Sequence, residues 1–171
     1  MQMVKKIVIA LAVIWFAVLI FMPKQELYYM VEKELAKKDI KINEKSIDEG
    51  LFSLTINEAD VYAKGIKLAS VEKLNFFTLL FYTKVEFENL VLDDSLKSMA
   101  PTQTDAATIS HAVWNPLHVD IEAQGSFGEL KGAVSLGDKT LRLDFNESKG
   151  IEMLKPKLKN DEKGWYYETS F

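Results

Sequence analysis

The feature that most limits what this chain can become is the unbroken apolar run from Ile7 to Met22, with Lys5-Lys6 directly before it. A helix rises about 1.5 Å per residue, so the run alone covers roughly 24 Å. The residues from Met3 onward, with both lysines snorkelling, extend it toward the ~30 Å of a bilayer's hydrocarbon layer. A surface helix of a water-soluble domain carries an apolar stripe, whereas this segment is apolar on every side. Residues 1–23 are therefore read as a transmembrane helix, with Lys5, Lys6, Ile7, Trp15, Phe16, Phe21 and Met22 as its anchoring residues.

A cleaved secretory signal has a shorter apolar stretch followed by small residues at the cut. Here Pro23-Lys24-Gln25-Glu26-Leu27-Tyr28-Tyr29 follows, and the first small residue is Ala36. The expectation is a retained signal anchor. Its basic flank holds the preceding end in the cytoplasm and delivers residues 24–171 to the far side, which in a bacterium is the periplasmic face of the inner membrane.

The remaining chain has the composition of a folded domain. The formal net charge is −4, and the lysines after Pro23 alternate with acids, as in Glu32-Lys33-Glu34, instead of clustering. Binding a nucleic-acid backbone needs a concentrated basic surface, so that class of partner is disfavoured. With no cysteine, disulfides, thiolate metal sites and a cysteine nucleophile are excluded.

From Lys24 to about Lys38 the apolar residues Leu27, Val31 and Leu35 fall at helical spacing, giving a short amphipathic helix. It either rides on the membrane, with Tyr28 and Tyr29 at the headgroup layer, or packs on a sheet through those three residues. From Ile40 the period becomes 2. Ile40 and Ile42, then Phe52, Leu54 and Ile56, then Ala59, Val61 and Ala63 alternate with polar residues, and the phase change at Asn57-Glu58 suggests a bulge. Lys64-Gly65 reads as a turn, Phe76 to Tyr82 as apolar without alternation, and Val85 to Leu92 as a further strand.

Residues 95–114 hold Pro101 and many small polar residues and read as a linker between halves 24–94 and 115–171, with Asp105 the cap of a short helix. Beyond it, Leu117 to Ala123, Leu130 to Leu136 and Leu141 to Phe145 form a meander with turns at Gly125–Gly128 and Gly137-Asp138. Ile151, Met153, Leu154 and Leu158 suggest a brief helix broken at Pro156, and Trp165 to Phe171 closes as a strand. The expected fold class is mainly β within α+β: an anchor helix, a short amphipathic helix and a curved antiparallel sheet or meander.

Chemistry is sparse. His111 and His118 lie in no motif that supplies metal ligands or a catalytic base. The acid pairs Asp48-Glu49, Glu86/Glu88 and Asp93-Asp94 read as solvated carboxylates, and the glycines punctuate hairpins without forming a phosphate loop. No catalytic, cofactor or metal residue is expected. The aromatic content is the stronger signal, and Tyr28, Tyr29, Phe76, Phe77, Phe81, Trp114 and Trp165 are the candidate interface residues.

Three stretches together resemble a known pattern: Glu49-Gly50-Leu51-Phe52-Ser53-Leu54; Val71-Glu72-Lys73-Leu74-Asn75-Phe76-Phe77-Thr78-Leu79-Leu80-Phe81-Tyr82 leading to Val85 to Leu92; and Glu129-Leu130-Lys131-Gly132-Ala133-Val134-Ser135-Leu136 after Gly128. With the anchor and short helix they resemble protein N of type II secretion systems and the wider AsmA-like envelope proteins. The resemblance implies a non-enzymatic, membrane-anchored periplasmic accessory or scaffold subunit of an envelope machine, such as type II secretion or a pilus apparatus, with envelope or secretion-complex proteins as partners. Two alternatives are a lipid-binding or lipid-transfer protein with an apolar sheet groove, and a structural component of a motor or pilus complex.

Overall fold

The computed structural model describes residues 2–79, 81–96, 101–146, 150–162 and 164–171, without the Leu19 side chain. Helix α1 (Gln2–Phe21) and helix α2 (Lys24–Ala36) precede ten strands. These are β1 (Ile40–Glu49), β2 (Ser53–Ala63), β3 (Ile66–Leu79), β4 (Tyr82–Leu92), β5 (Gln103–Ala112), β6 (His118–Gly125), β7 (Gly128–Ser135), β8 (Thr140–Phe145), β9 (Lys159–Asp161) and β10 (Gly164–Ser170). All described strands form one antiparallel sheet in the order β1-β2-β3-β4-β5-β6-β7-β8-β10-β9. The expected mainly-β meander is observed.

Pro23 separates the two helices because a proline lacks the N–H that would continue α1, while its fixed φ suits the start of α2. Over the described residues, which do not include the Leu19 side chain inside α1, no helix is long and apolar enough to cross a membrane. The segment expected as an anchor is a helix, Gln2–Phe21, in the expected place.

Three expectations are corrected. Residues 95–114, expected as a linker, contain β5, which pairs with both β4 and β6, so the two expected halves share one sheet. Asp105 lies within that strand and caps no helix. The strand escapes a reading by large apolar residues because Thr104, Ala106, Ala107, Thr108 and Ser110 are small; neighbours on both sides satisfy its backbone. The helix expected near Pro156 is reduced to a 3-10 turn over Lys155–Lys157.

The turns follow from local chemistry. Lys64 and Gly65 both have positive φ, as a two-residue type I′ hairpin between Ala63 and Ile66 requires. The turn after β7 spans Leu136 to Lys139, so Leu136 leaves the strand it was assigned to; the Ser135 hydroxyl donates to Asp138 Oδ2 at 2.8 Å and fixes the loop.

The bulge expected at Asn57-Glu58 belongs to a feature wider than one strand. Leu54 and Ile56 are buried, and then Ala59, an odd step later, so β2 changes phase at Glu58. In β3 the change falls between Val71 and Leu74, and in β4 between Phe87 and Leu90. Pairing skips one residue per strand, Lys45, Glu58, Glu72 and Asn89 in turn, while the register on either side stays constant. Glu58 and Asn89 take left-handed φ values of 49°. The row ends at Asp105, which is the extra residue of a bulge against β6. All five residues are exposed and polar, Lys45 pairs with Glu58, and Asn89 Nδ2 donates to Glu72 Oε2 at 2.5 Å. Slipping together keeps neighbours in register, where a slip in one strand alone would send its apolar set to the wrong face.

One face of the sheet is consequently apolar from end to end. Ile56, Leu74, Phe87, Ala107, Ala123, Leu130, Phe145 and Trp165 are successive cross-strand partners, and residues directly opposite share a face. The other face carries Asn75, Glu86, Thr108, Glu122, Lys131 and Asp144. Tyr28 of α2 covers the β1–β3 end through Leu54, Ile56 and Ala59. Ile151 covers the β6–β10 end on Phe127 and Phe145.

In an ordinary strand, valine in place of an exposed asparagine is favourable. At the left-handed position of Asn89, Asn89→Val is expected to destabilise the domain by about 1–2 kcal/mol, and Asn89→Gly to be close to neutral. Thermal unfolding followed by far-UV circular dichroism separates the two; a more stable valine variant would deny the collective phase change.

Candidate apolar cleft

Helix α2 meets the sheet on a face other than the expected one. Lys24 and Tyr28 are buried, Glu32 and Leu35 are half-buried, and Leu27 and Val31 are exposed together with Met30. The contact therefore uses positions i, i+4, i+8 and i+11, and the side chains facing the sheet are a lysine stem and a phenol ring. Long amphipathic side chains bury their carbon skeletons and keep polar tips satisfied, which lets such a face pack.

The tips are satisfied by β1. Lys24 is 8% exposed, and its Nζ lies 3.4 Å from Glu49 Oε1 and 3.5 Å from the Met22 carbonyl. Glu49 Oε1 also accepts the Lys24 backbone N–H at 3.4 Å. One carboxylate thus anchors both the first turn of α2 and its buried ammonium, in keeping with the positive end of the helix dipole. One turn on, the Tyr28 hydroxyl donates to Glu44 Oε2 at 3.2 Å. Burial, and then the Glu44 charge, push the Tyr28 phenol well above its ordinary range, so it stays a donor. Burial followed by repulsion from Glu44 also raises the Glu32 carboxyl.

Between this contact and the sheet lies a cleft of about 250 Å³ lined by Met22, Lys24, Leu27, Tyr28, Val31, Phe52, Leu54, Phe76 and Thr78. Its wall is almost wholly apolar, with Lys24, Tyr28 and Thr78 the lining residues that carry polar tips. The cleft opens beside the junction of the two helices, where Phe16 of α1 meets Phe52 edge-on with ring centroids 5.7 Å apart. From there the apolar face continues over Val85, Phe87 and Ile109, which are half-buried.

Of the sequence candidates, Met22, Tyr28 and Phe76 line the cleft, and Phe16 packs at its mouth. Tyr29 is exposed and leans on Tyr28 at 5.5 Å. Phe77 projects from the opposite, polar face beside Ser53 and Lys84. Phe81 and Trp114 lie at hairpin tips, and Trp165 packs in the second core with Lys155 Nζ 5.7 Å from its ring centre. Lys5, Lys6, Ile7, Trp15 and Phe21 lie along α1, away from the cleft.

Residue order alone does not single out Lys24, Glu44, Glu49 and Phe52 as a site. The available signal was the spacing of Lys24, Tyr28 and Glu32 opposite the acids of β1. The acid pairs are mostly engaged: Asp48 accepts from Asn57 at 2.7 Å and Glu88 from Lys73 at 3.2 Å. The hydrogen bond from Lys84, at 2.5 Å, holds the Glu86 carboxyl below its ordinary range. His111 Nε2 lies 3.2 Å from the Pro116 carbonyl, and His118 Nε2 3.7 Å from Asp120. Among the described residues, no three His, Asp or Glu side chains converge as metal ligands would. Set against family models, curated proteins and solved structures, the chain matches none.

Removing the two partners of the Lys24–Glu49 pair has unequal consequences. Glu49→Ala leaves a buried ammonium without its counter-ion and is expected to cost about 1–2 kcal/mol, the partial exposure of Glu49 moderating a larger buried-pair penalty. Lys24→Met keeps the packed stem and returns Glu49 to water, so it is expected to cost less. Thermal unfolding of both variants checks the order; a reversed order would show that the pair does not anchor α2.

Proposed function

We propose that this chain is a non-enzymatic, membrane-anchored scaffold that presents an apolar β-sheet face at the periplasmic side of a bacterial inner membrane. The observation that carries this reading is α1. Its large apolar side chains from Ile7 to Val18 are largely uncovered by the rest of the chain. By sequence, the 20 residues of α1 have the apolar character of a membrane span, and at about 1.5 Å per residue they match the ~30 Å of hydrocarbon. Lys5-Lys6 at its first turns favours an orientation with that end in the cytoplasm.

The sheet supports a role in binding more than in chemistry. Many of its titratable side chains are engaged in ion pairs along a polar face, such as Lys73–Glu88 and Arg142 with Asp144 and Asp161, while its other face is a continuous apolar surface, half-buried at Val85, Phe87 and Ile109, of the kind that marks interaction sites. In this reading the face seats apolar elements of neighbouring envelope proteins, as in an accessory subunit of a type II secretion or pilus apparatus. The cleft between α2 and β2–β3 favours a second reading, in which the apolar occupant is a lipid acyl chain and the protein handles lipid.

One preparation separates the two. The full chain expressed in a bacterium, extracted gently from membranes and crosslinked is expected to be recovered with inner-membrane components of a secretion or pilus machine. Native mass spectrometry of the same material is expected to show little bound phospholipid. Recovery as a lone species carrying phospholipid would replace the scaffold reading with lipid handling, and release into the soluble fraction by alkaline carbonate would overturn the anchor.

A further inference from the structure

In a meander, alternate turns fall at the same end of the sheet. The β1–β2, β3–β4 and β5–β6 tips share the end at which α1 joins the domain, because α2 runs antiparallel to β1 and begins beside Glu49. These tips carry Leu51, 64% exposed, Phe81, 54%, and Trp114, 74%. Backbone hydrogen bonds join them into one rim: Thr78 N–H donates to the Phe52 carbonyl and Val113 N–H to the Phe81 carbonyl, each at 2.8 Å.

The opposite end is built differently. There the aromatic tip residue Phe127 is buried beneath Ile151, which is itself 0% exposed, with the chain turning through Gly150 at a φ of 86° to bring it in. The other turns at that end carry Lys64, Asp93 and Asp94. Ile66, Val91 and Met153 are its exposed apolar residues among those described, and each stands within two positions of a charge. Apolar tips are thus covered or flanked by charge at that end, whereas next to α1 Phe81 and Trp114 have no charge within two positions and Leu51 alone stands two positions from one, Glu49.

The Phe16–Phe52 contact sets the depth of the bare rim. Phe16 lies five residues before the end of α1, so the β1–β2 tip is level with a point roughly 7.5 Å inside the helix terminus. Interfacial elements bury their apolar faces about 5–10 Å into the boundary between headgroups and acyl chains. Because neighbouring strands rotate by roughly 20–25°, later tips swing away from this level, and the tips nearest α1 are the ones concerned.

We propose that the β1–β2 and β3–β4 hairpin tips, through Leu51, Phe52 and Phe81, insert into the interfacial layer of the bilayer that α1 spans. The sheet then stands on the membrane at three points and the cleft mouth opens at lipid level. The inference rests on the anchor reading of α1. Covering the tips with lipid accounts for their bare apolar surface, and the continuity of the rim with α1 makes the bilayer its occupant.

The absence of cysteine makes the test clean. Full-length Leu51→Cys, Phe81→Cys, Ser95→Cys and Ile9→Cys, each labelled with an environment-sensitive fluorophore, are reconstituted in vesicles of phosphatidylethanolamine and phosphatidylglycerol, with and without nitroxide on the lipid acyl chains. Labels at 51, 81 and 9 are expected to be blue-shifted and strongly quenched by the nitroxide lipid, and the label at 95, at the opposite end, to be unaffected. Quenching at 9 with none at 51 and 81 overturns the insertion while leaving the anchor standing. No quenching at 9 overturns the anchor itself. A blue shift at 51 and 81 without lipid quenching would show the tips covered by protein and would equally overturn the proposal.

Discussion

A helix that is apolar on every side cannot satisfy itself in water, and the proposed placement of this domain depends on that constraint. Each uncovered leucine, isoleucine, valine or phenylalanine of α1 leaves roughly 1.5–3 kcal/mol unrealised, so the segment as a whole forgoes on the order of 10 kcal/mol or more unless something apolar surrounds it. The rest of the chain covers it at one described ring contact, Phe16 on Phe52. A bilayer removes the whole cost at once and also tolerates a bare helix, because the backbone groups of a helix are bonded within it.

From α1 the chain passes inward through polar contacts and apolar packing in alternation. Pro23 breaks the helix, Glu49 seats Lys24, Glu44 seats the Tyr28 hydroxyl, and the Tyr28 ring closes the core over Leu54 and Ile56. The same face then runs unbroken to Phe145 and Trp165, because the phase change from Lys45 to Asp105 is made by five strands together. The device leaves a broad apolar face that is buried under Tyr28 and Ile151 at its two ends and half-buried at Phe87 and Ile109 between them. In the proposed reading, an apolar surface that opens beside α1 serves to recognise apolar partners, whether protein segments or acyl chains.

Much of this was legible from residue order. Alternation identified β1, β2, β4, β6, β7 and β8, residue type identified β10, Lys64-Gly65 identified a hairpin, and the switch from Ile56 to Ala59 marked the phase change in one strand. That the change is shared by five strands was not visible, since it depends on pairing partners that only the fold supplies. β5 was missed because its inward positions are Ala107 and Ile109 among small polar residues, and a strand bonded on both edges needs no bulky side chains of its own. The face of α2 was misread because hydropathy ranks Leu27 and Val31 above Lys24 and Tyr28, whereas the sheet presents Glu44 and Glu49 at the positions where α2 docks. The cleft went unseen for the same reason: Leu27 and Val31 line its wall opposite Phe52, Leu54 and Phe76 instead of packing closely on the sheet.

The most direct measurement is amide hydrogen exchange of the full-length chain in lipid nanodiscs, followed residue by residue along α1 and the sheet. If α1 lies in hydrocarbon, its amides from Ile9 to Ile20 should hold their protons at least as long as those of central strands β3 and β4, since water cannot reach them without the helix leaving the bilayer. Exchange of the α1 amides within seconds while β3 and β4 remain protected would contradict the account, and the orientation of the sheet on the membrane would have to be abandoned with it.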